Sequence, residues 1–174
     1  MEKKWFTISV YSENNVGLLN RISGIFLKRH INIESLNVSK SELEGISKFT
    51  IVIFSTEDWA RKIVAQIEKQ VEVLRAFYHL DSDIIYQESA IFKMDSDLLL
   101  DQDKIERIVY ENNSHIVSVN RDFFVIAKTG RRSEIDAMYG ELLPMGIMQF
   151  VRSGRIAVTR SKMEISHLLE EINN

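Results

Sequence analysis

The chain has 174 residues, 45% hydrophobic and 27% charged, with a formal net charge of −3, no cysteine and a single proline. That composition excludes disulfide scaffolds, thiol nucleophiles, thiolate metal sites and low-complexity disorder, and it gives no global attraction to nucleic acid or anionic lipid. No apolar run approaches the roughly 20 residues of a membrane span, and Met1-Glu2-Lys3-Lys4-Trp5 leads into no apolar signal core, so a mature cytoplasmic protein is expected.

Phe6, Ile8 and Val10 alternate with Thr7, Ser9 and Tyr11, the period of a strand with one buried face. Leu18, Ile22, Ile25 and Phe26 recur at helical spacing, and Asn14 or Asn15 is placed to cap that helix. Residues 31–39 and 48–55 read as a hairpin around the polar connection 40–47, which contains Gly45. Trp59, Ile63, Val64 and Ile67 mark a helix over 57–70, and residues 71–79 supply a fourth strand. An acidic, poorly periodic joint spans 81–87.

The pattern then restarts. Ala90, Phe92 and Met94 alternate across a short strand, and Ile105, Ile108 and Val109 mark a helix. Residues 115–119 and 122–129 form strands joined at Asn120-Arg121. Ser133 with Asp136 reads as a helix start, and the apolar spacing from Ile135 continues to Pro144. Strand material follows at 148–151 and 155–159, then a last helix from Ser161 with Ile165, Leu168, Leu169 and Ile172 as its apolar face. The expected fold class is α+β: two ferredoxin-like βαββαβ sandwiches in tandem, 1–80 and 88–174, each an antiparallel sheet with two helices on one face. The uncovered face and edges of such sheets call for a cover, which a second copy of the chain supplies most simply.

The inventory of reactive groups is sparse. His30, His79, His115 and His167 form no HxH, HxxxH or HExxH pairing, and no serine elbow, Walker loop or dinucleotide-binding glycine run occurs. Residues 81–111 hold nine acids against three bases, and 121–162 hold eight bases against four acids. These stretches read as solvated faces, a docking surface, or partners for each other across the joint.

The informative segment is Glu13-Asn14-Asn15-Val16-Gly17-Leu18-Leu19, between the first strand and first helix. Backbone N–H groups and the positive end of a helix dipole converge there on an anion, and a carboxylate fits. The Asn14 amide carries both a donor and an acceptor, so it can bind an amino group as well as cap the helix. Gly17 permits close approach, and Asn32-Ile33 adds a second amide and an apolar neighbour. Such a set suits a zwitterion with an aliphatic side chain.

The run Glu13-Asn14-x-x-Gly17-x-Leu19-x-Arg21-Ile22-x-Gly24-x-Phe26-x-x-Arg29-x-x-Asn32-Ile33-Glu34-Ser35-Leu36, with Gln66-Ile67-Glu68-Lys69-Gln70 downstream, resembles the small regulatory subunit of acetolactate (acetohydroxyacid) synthase. Glu88-x-x-x-x-Lys93 and Val151-Arg152-Ser153-Gly154 resemble the carboxy-terminal domain of that family. The resemblance implies an amino-terminal ACT domain and a subunit without catalytic residues, metal or cofactor of its own. It further implies a catalytic large subunit using thiamine diphosphate, magnesium and FAD, which this chain activates and subjects to feedback inhibition by valine or a related branched-chain amino acid. The family pairs its ACT domains as homodimers with the effector at their interface. Carried over by position, Asn14, Val16, Gly17 and Leu18 fall in the effector loop, and Asn32 and Ile33 close the site from the neighbouring protomer. The triplet Phe77-Tyr78-His79 departs from the family pattern in being bulkier. A stand-alone ACT-type amino-acid sensor acting on another partner is the alternative.

Overall fold

Alternation along the first apolar segment builds β1 (Lys4–Glu13), flanked by β3 (Ile46–Ser55) and β4 (Val73–Leu80), with β2 (Ser35–Lys40) at the edge beyond β3. The computed structural model describes residues 2–100, 102–162 and 165. The sheet order is β2-β3-β1-β4, antiparallel throughout, with Lys4 opposite Ser55 and Glu13 opposite Ile46. Two helices, α1 (Leu18–Leu27) and α2 (Glu57–Ile67), cover one face. Phe6, Ile8 and Val10 meet Leu18, Ile22 and Phe26 from α1 and Ile63 and Ile67 from α2 in one core.

Four expectations are corrected here. Ala60 rather than Trp59 starts the buried stripe of α2, which runs Ala60, Ile63, Val64, Ile67; Trp59 is exposed, under Lys62. Thr56 caps that helix by accepting from the Trp59 N–H (3.5 Å), which fixes the phase of the stripe. Strand β2 opens at Ser35, so Asn32 and Ile33 precede it, and α2 stops at Ile67 rather than Gln70.

The fourth correction concerns the far face. Thr7, Ser9 and Tyr11 are buried as deeply as the residues facing the helices. Their cover comes from the chain itself: β9 (Ile156–Thr159) and the preceding Arg155 return to this first unit, which comprises residues 1–86 and 155–174. Arg155 is 5% exposed, donates to Thr7 Oγ1 (2.9 Å) and Asp81 Oδ1 (2.7 Å), and stacks over Tyr86. An acid of the 81–111 stretch thus pairs with a base of the 121–162 stretch.

Burial of Tyr11, with Glu42 adding like charge, raises its hydroxyl from 10.0 to about 12. The unfolded chain then releases that proton first, so stability falls as pH rises from 10.0 toward about 12. Ultraviolet titration is expected to show one of the five tyrosines ionising late, an event absent from Tyr11→Phe.

The second unit, residues 87–154, repeats the pattern. Its strands are β5 (Ile84–Asp95, entering from the first unit), β6 (His115–Val119), β7 (Phe123–Gly130) and β8 (Ile147–Arg152), ordered β6-β7-β5-β8. Phe92, Met94, Phe124 and Ile126 pack on Ile105 of α3 (Gln102–Glu111) and on Ile135, Met138 and Leu142 of α4 (Arg132–Leu142). The expected joint at 81–87 is a 3-10 turn at Asp81–Asp83 followed directly by β5, since Ile84 is already buried. Residues 155–162, assigned by sequence to the second domain, pack with the first unit. Helix α4 starts earlier than Ser133 because the Glu134 carboxylate accepts the Arg131 N–H (2.5 Å). Of the expected last helix, Leu168, Leu169 and Ile172 lie outside the described residues.

Candidate functional site

The loop between β1 and α1 is held from both sides. Glu13 N–H donates to Glu72 O (2.9 Å) and Asn14 N–H to Gly45 O (3.1 Å), so the loop is anchored to the β2–β3 connection and the start of β4. Gly17 is the N-cap residue of α1, at φ +86°, the left-handed region that a β-carbon disfavours. No side chain caps α1, so neither Asn14 nor Asn15 serves as its cap. No acid occupies its first turn. The positive end of the helix is therefore left to solvent or ligand, the arrangement that suits an anion.

Around this end, Asn14 and Gly17 are exposed, and the Val16 side chain is 96% exposed. Leu18 behaves differently. Its side chain is 1% exposed within the core, so only its backbone faces the loop, where its N–H makes a long bond to Asn15 O (3.4 Å). Sequence reasoning passed over Arg21 as a site residue, although i to i+4 spacing puts it one turn above Gly17. A β-carbon at position 17 would lie 3.9 Å from Arg21 Nη1, and Arg21 is ion-paired to Glu72.

Asn32 and Ile33 lie elsewhere. Ser35 is opposite Val52 and Val52 opposite Thr7, which sets Asn32 near the start of β1 and Asn14 beyond its end. At about 3.3 Å per residue they are roughly 25–30 Å apart along the sheet. Within one chain the six positions do not form one site. Asn32 Nδ2 donates to Glu34 Oε1 (3.0 Å), and Ile33 packs partly buried against the first core.

In the second unit, the two motif fragments noted in the sequence are neighbours. Ala90 is opposite Arg152, Ser89 N–H donates to Ser153 Oγ (2.9 Å), and Ser153 N–H returns to Ser89 O (2.8 Å). Buried Glu88 lies 3.9 Å from Arg152 Nε, and Arg152 is also paired with Asp136. Among the described residues no cluster of His, Cys, Asp and Glu is placed to hold a metal, and no helix is long and apolar enough to cross a membrane.

Comparison with known proteins adds the following. Residues 87–161 match the family model described as the small subunit of acetolactate synthase, and residues 8–75 match that of the AHAS small subunit-like ACT domain. The chain is 33% identical over 163 residues to the acetolactate synthase small subunit of Bacillus subtilis, covering 93% of each chain. It is 30% identical over 157 residues to the probable acetolactate synthase small subunit of Archaeoglobus fulgidus, covering 88% of this chain and 96% of that one. The crystal structure of the acetolactate synthase small subunit from Thermotoga maritima superposes with a TM-score of 0.83 at 26% identity, over 92% of this chain and 99% of that one.

Proposed function

The chain belongs to the acetolactate synthase small-subunit family, and from that premise we propose that it binds valine or a related branched-chain amino acid between two copies of its first unit and so sets the activity of the catalytic large subunit. Its role is that of the regulatory subunit of acetolactate synthase, partnered by the large subunit. The chain contributes no catalytic residue, and the large subunit carries thiamine diphosphate, magnesium and FAD.

The observation behind this reading is the uncapped start of α1 at Gly17, with no acid in its first turn. An amino acid places its carboxylate on those backbone N–H groups and its ammonium against the Asn14 amide oxygen. Val16 supplies apolar contact. The rest of the site comes from symmetry. Strand β2 is an edge, and Val38, Ser39 and Lys40 on it are exposed. Antiparallel pairing of two β2 strands about their midpoint, between Asn37 and Val38, sets Ser35 of the partner subunit opposite Lys40. Asn32 of the partner subunit then falls level with Leu43, beside the connection whose Gly45 O holds Asn14. The distance that separates the two halves of the site in one chain is what a twofold axis removes.

Binding at this interface favours one arrangement of the paired domains, and inhibition requires that the large subunit respond differently to the two arrangements, with a coupling of about 1–3 kcal/mol. Calorimetric titration of the chain with valine, leucine and isoleucine tests the reading directly; saturable binding of at least one is expected. Val38→Pro tests the interface. The Ser41 N–H donates to Ile46 O, so by the alternation of an antiparallel ladder the Val38 N–H points away from β3. Proline there leaves the sheet intact, and sedimentation is expected to show a monomer that no longer binds valine. A dimer that still binds would remove the β2 edge from the proposal.

A further inference from the structure

On the far face of the first sheet, Ser9 stands between Phe77 on β4 and Thr50 on β3, and its short side chain leaves a recess where its neighbours are larger. The returning segment borders this recess at Ala157 and Val158, leaving a half-open pocket of about 190 Å³. No residue of the Asn14–Gly17 loop lines it.

The chemistry of its wall is one-sided. Lys48, opposite Tyr11 in the sheet, uses one ammonium proton on Ala157 O (3.1 Å) and has two more. The Tyr11 and Ser9 hydroxyls line the same space, and the His79 imidazole completes the set. Burial lowers the pKa of both Lys48 and His79, and it holds Tyr11 in its protonated, donating form. Donors thus converge on a space whose only carboxylate in the lining, Glu42, belongs to an exposed residue. Phe77, Ile84 and Val158 supply apolar wall.

We propose that this cavity binds a short aliphatic monocarboxylate, its head on Lys48, Tyr11 and Ser9 and its tail against Phe77 and Val158. Three observations set that class. Converging donors around an ammonium call for an acceptor-only anion. A space of about 190 Å³ is smaller than the roughly 300–1,000 Å³ of sites for drug-sized ligands, so the tail is short. Glu42, whose charge acts on both Lys48 and Tyr11, leaves the head of the site short of positive charge for a second carboxylate, so the anion carries one.

The probes are isobutyrate and its neutral isostere isobutyramide, titrated into the full chain and into Lys48→Met, Ser9→Val and Gly17→Asp. Isobutyrate is expected to saturate at millimolar concentrations, with isobutyramide weaker by about tenfold or more. Lys48→Met removes the charge and keeps the stem; Ser9→Val fills the floor with a residue suited to a strand. Each is expected to weaken isobutyrate by about tenfold or more, and Gly17→Asp to leave it unchanged. Should Lys48→Met fail to fold, Ser9→Val alone decides. Equal binding of acid and amide, retention of isobutyrate binding in Ser9→Val, its loss in Gly17→Asp, or no saturation would each overturn the proposal. The valine reading of the α1 loop stands or falls separately, on the valine titration.

Discussion

A subunit carrying Gly17→Asp is expected to lose valine inhibition while still activating the catalytic subunit. The substitution puts a carboxylate where the proposed site holds the effector's own carboxylate, and juxtaposed like charges cost several kcal/mol. Valine affinity should fall by roughly 100-fold, about 3 kcal/mol. Space is not the obstacle, since a β-carbon at this position meets only Arg21 Nη1 at 3.9 Å. Nor is the left-handed backbone, at φ +86°, prohibitive for aspartate, which with asparagine visits that region more readily than other side chains. Gly17→Asn is therefore the control: same backbone demand, same size, no charge. It should weaken valine far less than Gly17→Asp in the same calorimetric titration, and both should activate normally in a reconstituted acetolactate assay. Loss of activation together with inhibition would assign Gly17 to folding.

Arg155→Ala is expected to destabilise the first unit by about 2–3 kcal/mol. The guanidinium is 6% exposed and bonded to both Asp81 and Thr7, so its removal strands a buried hydroxyl and a carboxylate that is only 35% exposed. Full burial of Asp81 would put the cost nearer the roughly 3–5 kcal/mol of a broken interior pair. Stacking on Tyr86 is lost as well. Both tryptophans, Trp5 and Trp59, lie in the first unit, so their fluorescence in urea reports on it alone. The midpoint should fall, and Arg155→Lys should recover only part of it, because an ammonium cannot reproduce two guanidinium bonds and a planar stack. An unchanged midpoint would show that β9 holds the sheet without this clasp.

Most of the fold was legible because apolar period tracks burial on a one-sided element. The β1 alternation and the α1 stripe appear in the core as spaced in the sequence. Reading failed where a second cause intervened. Trp59 is large and apolar, yet Thr56 sets the helix phase one residue later. The joint at 81–87 lacked periodicity because β5 begins in one unit and ends in the other, with different surroundings on each part. The burial of Thr7 and Ser9 was invisible because polar residues on alternating positions ordinarily signal solvent; their cover comes from a contact 148 residues away along the chain. The loop at Gly17 was legible as the start of a helix through its glycine, but its geometry, with no side-chain cap, was not. The proposal that it pairs with Asn32 across a twofold axis arises only when strand register shows how far apart the two lie in one chain.

The return of Arg155 to Thr7 also sets an order of events during synthesis. The amino-terminal sheet has all four strands once residue 80 has been made, and domains nearest the amino terminus fold first on the ribosome. Its far face, including Ser9 and Tyr11, then stays open to water and to other nascent chains while the whole second unit is translated. Polar residues on that face keep the half-finished protein from sticking to its neighbours, and β9, emerging after the second unit, closes it.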